Sequence, residues 1–226
     1  MRPGASTLFQ PNRGRKVRKR GEGRESVRDV IVGRPALIII DMQKGGLQPV
    51  EVSGIPHMPG YQGRIDRVVT LVEACRRSGV PVIFFQEVHR RDLVDFGREL
   101  DGAEGIHCLE GDPGTELVDE LQPGPGDYFI AKRRYSCFIG TDFDVLLRGL
   151  RVETLLLVGG LTDVCVHYTF ADAHQRDYHV RVLEDCVGGS SLARHDAALD
   201  AMEYLQAGAR LPSSEVLSAL RESVLT

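Results

Sequence analysis

Three polar residues combine side-chain types that can together hydrolyse an amide-type bond. Asp41 directly follows the apolar run ALIII, Lys132 directly follows YFIA, and Cys165 lies just after the pair Gly159-Gly160. A cysteine nucleophile needs a base that removes its proton, and an aspartate can be that base. A nearby ammonium keeps the aspartate ionised and stabilises a thiolate. The set therefore predicts acyl transfer to water, which means hydrolysis of a C–N bond.

Cys165 carries the strongest signal of the three. The segment LLLVGGLTDVC predicts a strand that ends at Gly159-Gly160 and a helix that begins with Thr162 as its N-cap. Cys165 is then expected in the first helical turn, where free backbone N–H groups and the helix dipole favour a thiolate and can hold an oxyanion. A buried, unreactive cysteine is the usual alternative. That alternative fits Cys75, Cys137 and Cys186.

Asp41 and Lys132 each have an ordinary explanation when they are considered alone. A strand-end aspartate commonly caps a turn, and an isolated lysine commonly extends its ammonium to solvent. Lys132 is one of only four lysines among 28 basic residues, and both residues stand at the ends of predicted strands. The functional interpretation therefore depends on a fold that brings both side chains to Cys165.

The elements that must position these residues alternate along the chain. Nearly continuous apolar runs are typical of strands covered on both faces, and they occupy residues 36–41, 81–86, 127–132, 154–159 and 179–185. Amphipathic stretches predict helices over residues 63–78, 114–121, 141–150, 163–177, 192–206 and 213–222. This alternation predicts right-handed βαβ units and a parallel sheet, that is, an α/β fold. Such sheets bind ligands at the carboxyl ends of their strands, where the three reactive residues fall.

Composition and charge limit the classes of protein to consider. A chain of 226 residues that is 42% hydrophobic predicts one globular domain, and no apolar run approaches the ~18 residues of a membrane span. Residues 1–30 hold nine of the 28 Lys and Arg, so we expect residues 1–34 to form a flexible basic extension ahead of a domain over residues 35–226. The remainder is acidic, which argues against a nucleic-acid partner. An odd number of cysteines without a CxxC pair, and no signal peptide, predict the reducing cytoplasm.

Three segments carry a resemblance to a known family. They are ALIIIDMQ (36–43), AKRRYSCFIGTDFDVLL (131–147) and LLLVGGLTDVCVHYTFADAHQRDYHVRVLEDCVGG (155–189). In this order they resemble the isochorismatase-like cysteine hydrolases, which include nicotinamidases, N-carbamoylsarcosine amidohydrolases, biuret hydrolases and ureidoacrylate amidohydrolases. The resemblance extends over about residues 35 to 215.

The resemblance implies a fold and a set of site residues. The fold is a three-layer α/β/α structure with a six-stranded parallel sheet, and the catalytic set falls on Asp41, Lys132 and Cys165. A non-proline cis peptide bond falls at Gly160-Leu161, and the backbone N–H groups of Leu161 and Cys165 are expected to face the substrate oxyanion. Family members usually form a homodimer or homotetramer.

The metal and substrate contacts are where the chain departs from parts of this family. Nicotinamidases carry Asp-x-His, a further histidine and His-Cys beside the cleft, whereas this chain offers only Glu87, His89 and His107-Cys108. Three such ligands are still enough to hold a zinc or iron ion with one open position. The segment FQEVHRRDLVDFG, however, is closer to the E-x-H-R-x-D-L segment of the biuret and carbamoyl-type hydrolases, which carry it without a metal, so we expect no metal and no cofactor. We expect the following residues to contact the substrate: Gln43, Glu87, Tyr135, Phe138 and Tyr168.

Several functions remain open from the sequence. The first is an amidohydrolase that cleaves a small amide, carbamoyl compound or lactam through a thioester at Cys165. The second is an isochorismatase that cleaves a vinyl ether, and the third is a non-catalytic binding or scaffold member of the same fold. A dinucleotide-binding protein is disfavoured because the glycines at the strand ends do not form a G-x-G-x-x-G motif. The partner is in each case a small molecule rather than a nucleic acid or a membrane.

Overall fold

The computed structural model describes residues 30–224 of the chain. Most of the predicted basic extension, residues 1–29, lies outside the described residues. Its last part contacts the folded domain, because the Thr154 hydroxyl donates to the Val32 carbonyl at 2.5 Å and accepts from the Val32 N–H at 3.0 Å. The Arg181 side chain donates to the Val30 carbonyl at 3.0 Å. Val30 and Val32 are thus bonded to the fourth and fifth strands of the sheet.

A six-stranded, all-parallel sheet forms the centre of the domain, as predicted. Its strands are β1 (Pro35–Ile40), β2 (Val82–Glu87), β3 (Tyr128–Lys132), β4 (Thr154–Gly160), β5 (His179–Gly188) and β6 (Arg210–Leu211). The strand order is β3-β2-β1-β4-β5-β6. The chain therefore starts in the middle of the sheet and winds to each edge in turn. The two residues of β6 are too few to give a periodic signal, and the sequence analysis did not locate this strand.

Helices cover both faces of the sheet. They are α1 (Val50–Ser53), α2 (Tyr61–Arg77), α3 (Phe143–Leu150), α4 (His167–His174), α5 (Leu192–Leu205) and α6 (Ser213–Val224). Along β1, Leu37 and Ile39 join the core beneath α2 and α6, whereas Ile38 and Ile40 join the core beneath α3, α4 and α5. Successive strand residues point to opposite faces, and all of these are fully buried. Burial on both faces explains the continuous apolar runs and confirms the three-layer architecture.

The predicted helix over residues 114–121 is wrong. A short 3₁₀ turn, Pro113–Thr115, is followed by extended chain in which Leu117 bridges to Gln43 and the Val118 N–H donates to the Met42 carbonyl at 3.0 Å. Leu117, Val118 and Leu121 are buried in the core on the α2 side. These three residues have the spacing of one face of a helix. They are buried because the loop packs against the segment that follows β1. Other 3₁₀ turns span Lys44–Leu47 and Glu99–Asp101.

The connection after β4 also differs from the predicted single helix. A π-helical turn, Thr162–Val166, precedes α4, and its N-cap is Leu161 rather than Thr162. The Thr162 hydroxyl instead bonds the ring nitrogen Nδ1 of His195 at 2.8 Å. The peptide bond Gly160-Leu161 is cis, as the resemblance implied.

Gly159 allows β4 to lie against β1 just before this turn. Its φ is +110°, and a Cβ at this position would lie 1.9 Å from the carbonyl oxygen of Ile40. No side chain fits there, because the contact is with backbone that is itself part of the sheet. Within residues 30–224, no helix combines the length and the apolar character needed to cross a bilayer.

Candidate active site

The three predicted catalytic residues meet at the carboxyl edge of the sheet. Asp41 follows β1, Lys132 ends β3, and Cys165 lies in the π-turn after β4. The ammonium nitrogen of Lys132 is 2.8 Å from Asp41 Oδ2 and 3.4 Å from Cys165 Sγ. Both Lys132 and Cys165 are buried, at 1% and 6% exposure. The structure thus brings together residues that are separated by 91 and 33 positions in the sequence.

Glu87 is a fourth member of this cluster. It ends β2 and is the register partner of Lys132 in the neighbouring strand. Its Oε2 lies 2.6 Å from Lys132 Nζ and 3.4 Å from Cys165 Sγ. The sequence analysis predicted Glu87 as a substrate contact, and it does line the cavity described below. Lys132 therefore forms ion pairs with both Glu87 and Asp41. The sequence did not predict the contact between Glu87 and Lys132.

The two carboxylates beside Lys132 have opposite pKa shifts. Burial raises the pKa of Asp41 to about 6, and Lys132 only partly offsets this effect. Burial would also raise the pKa of Glu87, but Lys132 and the imidazoles of His107 and His89 hold it well below its usual value. Burial of Lys132 is outweighed by its anionic neighbours, which keep its pKa well above the usual value. When environments separate two pKa values in this way, the group with the raised pKa is the one that exchanges protons.

The carboxylate of Asp41 is also free to accept a proton. Neither of its oxygens has a hydrogen-bond donor of good geometry among the described residues, and Lys132 contacts it as an ion pair. Its backbone adopts a left-handed conformation with φ of 52°, which aspartate tolerates better than most residues. The chain therefore turns sharply at the end of β1 with this carboxylate facing the reactive cluster.

Cys165 is a thiol in the resting site, contrary to the expected thiolate. Burial is the main reason that its pKa lies well above the usual value, and the negative charges of Glu87 and Asp41 add to the effect of burial, outweighing Lys132. The predicted influence of a helix start is weaker than expected because Cys165 is the fourth residue of a π-turn without a side-chain cap. A buried thiol beside the Asp41 carboxylate, whose pKa is raised to about 6, still suits proton transfer to that carboxylate when a substrate arrives.

A cavity of about 330 Å³ opens over this cluster, and its size suits a small molecule. Cys165, Asp41, Glu87 and the cis-linked residues Gly160 and Leu161 line it. The predicted oxyanion contacts, the N–H groups of Leu161 and Cys165, are therefore on residues of the cavity wall. Their role stays a prediction.

Two of the predicted substrate contacts line the cavity in addition to Glu87. Tyr135 is one of them. Gln43 is the other, but its side-chain amide is occupied by the protein. Its nitrogen donates to the carbonyls of Glu87 and Thr115 at 2.9 and 2.7 Å, and its oxygen accepts from the Glu87 N–H at 3.2 Å. Gln43 therefore holds the loop after β1 against the end of β2.

The structure places the other two predicted substrate contacts, Phe138 and Tyr168, outside the lining of the cavity. Phe138 is buried in the core, where its ring centroid is 4.7 Å from that of Phe143 and where the Arg176 guanidinium covers it at 4.4 Å. Tyr168 is 56% exposed on α4, with its ring 5.6 Å from Tyr135. Both aromatic residues flank the catalytic motifs in sequence, but Phe138 lies in the turn before α3 and Tyr168 on α4, and neither lines the cavity.

Beside Glu87 lies a buried cluster of two histidines and two glutamates. His89 Nε2 is 3.3 Å from Glu87 and 3.2 Å from Glu99, and His107 Nε2 is 3.1 Å from Glu87. One ligand atom from each of the four lies within 4.8 Å of the others, so the cluster could hold a metal ion such as Zn²⁺. Burial lowers the pKa of His89, but hydrogen bonds to the two glutamates outweigh it and raise the value to about 9. Burial lowers the pKa of His107 too, but its hydrogen bond to Glu87 outweighs this effect and raises the pKa, so a metal ion competes with protons for these imidazole nitrogens.

Sequence reasoning missed other residues of the cavity wall. They include Tyr61 and Arg64 at the start of α2 and Glu104 from the loop before β3, whereas His107, which also lines the cavity, had been considered only as a metal ligand. A signal for Arg64 was available, because it is a charged residue at the buried side of the amphipathic helix and immediately precedes the core residue Ile65. The positions in the long loop had no comparable signal.

Comparison with known proteins identifies relatives over most of the chain. A family model described as an isochorismatase domain matches residues 35–216, which include all six strands. The ureidoacrylate amidohydrolase RutB of Azorhizobium caulinodans is 31% identical over 199 residues, or 80% of this chain and 83% of that protein. The solved structure of a cysteine hydrolase from Pseudomonas syringae pv. phaseolicola matches with a TM-score of 0.73 at 27% identity. The match covers 84% of this chain and 93% of that protein's chain. N-carbamoylsarcosine amidase from Thermoplasma acidophilum has a TM-score of 0.62 at 30% identity, with coverages of 75% and 93%.

Proposed function

Because this chain belongs to the isochorismatase family, we propose that Asp41, Lys132 and Cys165 carry out in it the reaction of its amidohydrolase relatives. The protein is a hydrolase of small-molecule carbon–nitrogen bonds other than peptide bonds. The observation that carries the residue assignment is the position of Lys132 Nζ, 2.8 Å from Asp41 Oδ2 and 3.4 Å from Cys165 Sγ. Base, cation and nucleophile thus lie in contact at the wall of one cavity.

The first half of the proposed reaction forms a thioester. Asp41 takes the proton of the Cys165 thiol as Sγ forms a bond to the substrate carbonyl carbon. The carbonyl π electrons move to the oxygen, and the N–H groups of Leu161 and Cys165 stabilise that oxyanion. When the intermediate collapses, the C–N bond breaks and protonated Asp41 gives its proton to the leaving nitrogen.

The second half restores the enzyme with one water molecule. Asp41, again ionised, removes a proton from water as the water oxygen attacks the thioester carbon. The C–S bond then breaks, the acid or carbamate product leaves, and the thiolate recovers its proton from Asp41. One Asp41 carboxyl thus acts as base and acid twice, which agrees with a pKa of about 6.

Lys132 and Glu87 set the charges for these steps. Lys132 is a fixed cation that stabilises the thiolate as the proton leaves Cys165. Glu87 stays ionised because of its low pKa and holds Lys132 in place at 2.6 Å. Without Glu87, the single anion beside Lys132 would be Asp41, and pairing with a fixed cation would make Asp41 a weaker base.

Hydrolysis of a panel of small amides tests this assignment, followed by ammonia release or, for the lactams, by the free amine of the ring-opened product. The panel contains nicotinamide, N-carbamoylsarcosine, biuret, ureidoacrylate and simple lactams. We expect hydrolysis of at least one compound by the wild type, loss of that activity in Cys165→Ala, and full activity in the matched control Cys75→Ala. Cys75 is a buried thiol on α2 that does not line the cavity. Equal activity in Cys165→Ala would contradict the nucleophile assignment, and silence on the whole panel would favour vinyl ether hydrolysis or a binding role.

Two further properties belong to this proposal. The five cysteines are all free thiols in the structure, which supports a reducing location such as the cytoplasm. We also propose a homodimer or homotetramer, on the basis of the resemblance to family members. Light scattering of the purified protein tests the oligomeric state.

A further inference from the structure

Arg64 is a buried cation at the wall of the reactive cavity. It lies in the first turn of α2, and the residue is 6% exposed. Within residues 30–224, it is the one lysine or arginine that lines the cavity. The proposed catalytic steps make no use of it.

The guanidinium of Arg64 is bonded to backbone but not to an acid. Its Nη1 donates to the Pro59 carbonyl at 2.9 Å and its Nη2 to the Met58 carbonyl at 3.2 Å. In the described part of the chain, it forms no ion pair with an Asp or Glu carboxylate. A guanidinium has five N–H donors and stays charged, so three donors and a buried positive charge remain without an anionic partner. Such a charge is costly unless an anion joins it.

The guanidinium also lies close to the turn that carries the nucleophile. A Cβ on Gly188 would meet three guanidinium atoms of Arg64 at 2.6 to 2.8 Å, so the guanidinium lies directly over the backbone of Gly188. Gly188 is the register partner of Gly160, which directly precedes Leu161. Neighbouring strands are about 5 Å apart. A small molecule in the cavity can therefore contact Arg64 and Cys165 together.

We propose that Arg64 binds a carboxylate group of the substrate, which makes the substrate class a small ureido or amide compound that carries a carboxylate. This inference rests on the proposed function, since it names the substrate of the same site. The planar fork of a guanidinium matches a carboxylate with two parallel hydrogen bonds. The substrate carboxylate supplies the anionic partner that the protein itself does not provide.

The acidic side chains of the cavity fix the orientation of such a substrate. Asp41 and Glu87 surround the Cys165 thiol, and Glu104 also lines the cavity. A carboxylate is repelled from all three and attracted to Arg64. The uncharged carbonyl is then the end of the molecule that reaches Cys165.

A pair of substrates that differ in one charge tests the proposal. The probes are 3-ureidopropionate and 3-ureidopropan-1-ol, and the variants are Arg64→Gln, Arg64→Lys and the control Arg67→Gln. Arg67 lies one turn along α2 and donates to the Asp185 carbonyl at 2.6 Å, outside the cavity. We expect Arg64→Gln to lower kcat/KM for the acid by roughly 10- to 100-fold, mainly through KM, and to leave the alcohol unchanged. We expect Arg64→Lys to keep part of the preference and Arg67→Gln to keep all of it.

Equal loss on both substrates would overturn the proposal, because it would mean that Arg64 only holds the loop at Met58 and Pro59. Equal hydrolysis of acid and alcohol by the wild type would also overturn it. Circular dichroism checks the folding of each variant. If Arg64→Gln does not fold, the test is the ratio of kcat/KM for the acid to kcat/KM for the alcohol in Arg64→Lys. A ratio below that of the wild type supports the proposal, and an unchanged ratio overturns it.

A binding measurement separates this inference from the proposed function. The experiment treats the protein with iodoacetamide and follows the rate of Cys165 alkylation by peptide mass spectrometry, with and without each probe. We expect 3-ureidopropionate to protect Cys165 in the wild type but not in Arg64→Gln, whereas the alcohol protects neither. If the wild type hydrolyses neither probe and yet shows this protection, the proposed reaction fails and the carboxylate site stands. If hydrolysis occurs without Arg64-dependent protection, the carboxylate site fails alone.

Discussion

Glu87 and Lys132 occupy paired positions at the ends of neighbouring strands, with 2.6 Å between Oε2 and Nζ. Asp41 approaches the same ammonium from β1 at 2.8 Å. One buried cation thus joins two carboxylates of different pKa, and the difference assigns them different roles. The low pKa makes Glu87 a fixed anion, and the raised pKa makes Asp41 the group that exchanges protons with Cys165.

The wild-type enzyme should lose activity on the acidic side of pH 6. Asp41 accepts the thiol proton only when it is ionised, and its pKa is raised to about 6 by burial. We therefore expect kcat/KM to rise with pH, with its midpoint near pH 6, and then to level off. The pH dependence of kcat/KM reports the pKa of the essential base in the free enzyme. The check is a pH–rate profile on any substrate of the panel. A limb near pH 4 would mean that an ordinary exposed carboxylate is the base.

Asp41→Asn should abolish turnover without unfolding the protein. The amide cannot take the proton of Cys165, so we expect a decrease in kcat of about 10²- to 10⁴-fold. Steady-state kinetics and circular dichroism measure the two effects separately. An active variant with the wild-type pH profile would exclude Asp41 as the base.

Glu87→Gln should move the acidic limb to lower pH. The negative charge of Glu87 is one of the causes that raise the pKa of Asp41, so its removal lowers that pKa and makes Asp41 a weaker base. We expect a slower plateau rate together with the shifted limb. Glu116→Gln is the matched control, because Glu116 is an exposed carboxylate that pairs with Lys44 at 2.8 Å. A slower enzyme with an unmoved limb would show that Glu87 has only a structural role.

Chelators should leave the activity intact. Burial alone would lower the pKa of His107, as for His89, but Glu87 raises both values, so protons compete with a metal ion for the imidazole nitrogens. We expect the same kcat before and after dialysis against EDTA, and less than one metal ion per chain by elemental analysis. Loss of activity on dialysis, restored by Zn²⁺ or Fe²⁺, would show that Glu87, His89, Glu99 and His107 hold a metal.

Gly159→Ala should prevent correct assembly of β4 against β1. The added methyl would lie 1.9 Å from the Ile40 carbonyl oxygen, at a φ of +110°. Gly149→Ala in α3 is the control, because a Cβ there has no atom within 4 Å, and alanine is favoured over glycine in a helix by about 0.5–1 kcal/mol. Chemical denaturation of both variants measures the difference. Similar stability of the two would contradict the close strand approach.

The sequence predicted the strands well because burial on both faces leaves a direct trace. The run from Ala36 to Ile40 has no polar residue, since both faces of β1 are covered. The same logic located Asp41, Lys132 and Cys165, because each follows such a run. The loop that contains Leu117 was misassigned because its burial comes from tertiary contacts and not from helical periodicity.

Other features of the site depend on spatial neighbours that the sequence order hides. Glu87 was identified, but its bond to Lys132 depends on the register of β2 and β3. Phe138 and Tyr168 do not line the cavity, although they are near catalytic residues in sequence, because distance along the chain says little about the direction of a ring. The thiol state of Cys165 depends on burial and on two carboxylates from other strands, which outweigh the local helix start.

The most direct test of the thioester mechanism is the mass of the Cys165 peptide during turnover. The wild type is mixed with a hydrolysed substrate, quenched in acid within milliseconds to seconds, digested and analysed by mass spectrometry. We expect an adduct on Cys165 whose added mass is the acyl or carbamoyl group without the leaving amine, and no adduct in Cys165→Ala. An adduct on a different residue, or hydrolysis by Cys165→Ala at the wild-type rate, would contradict it.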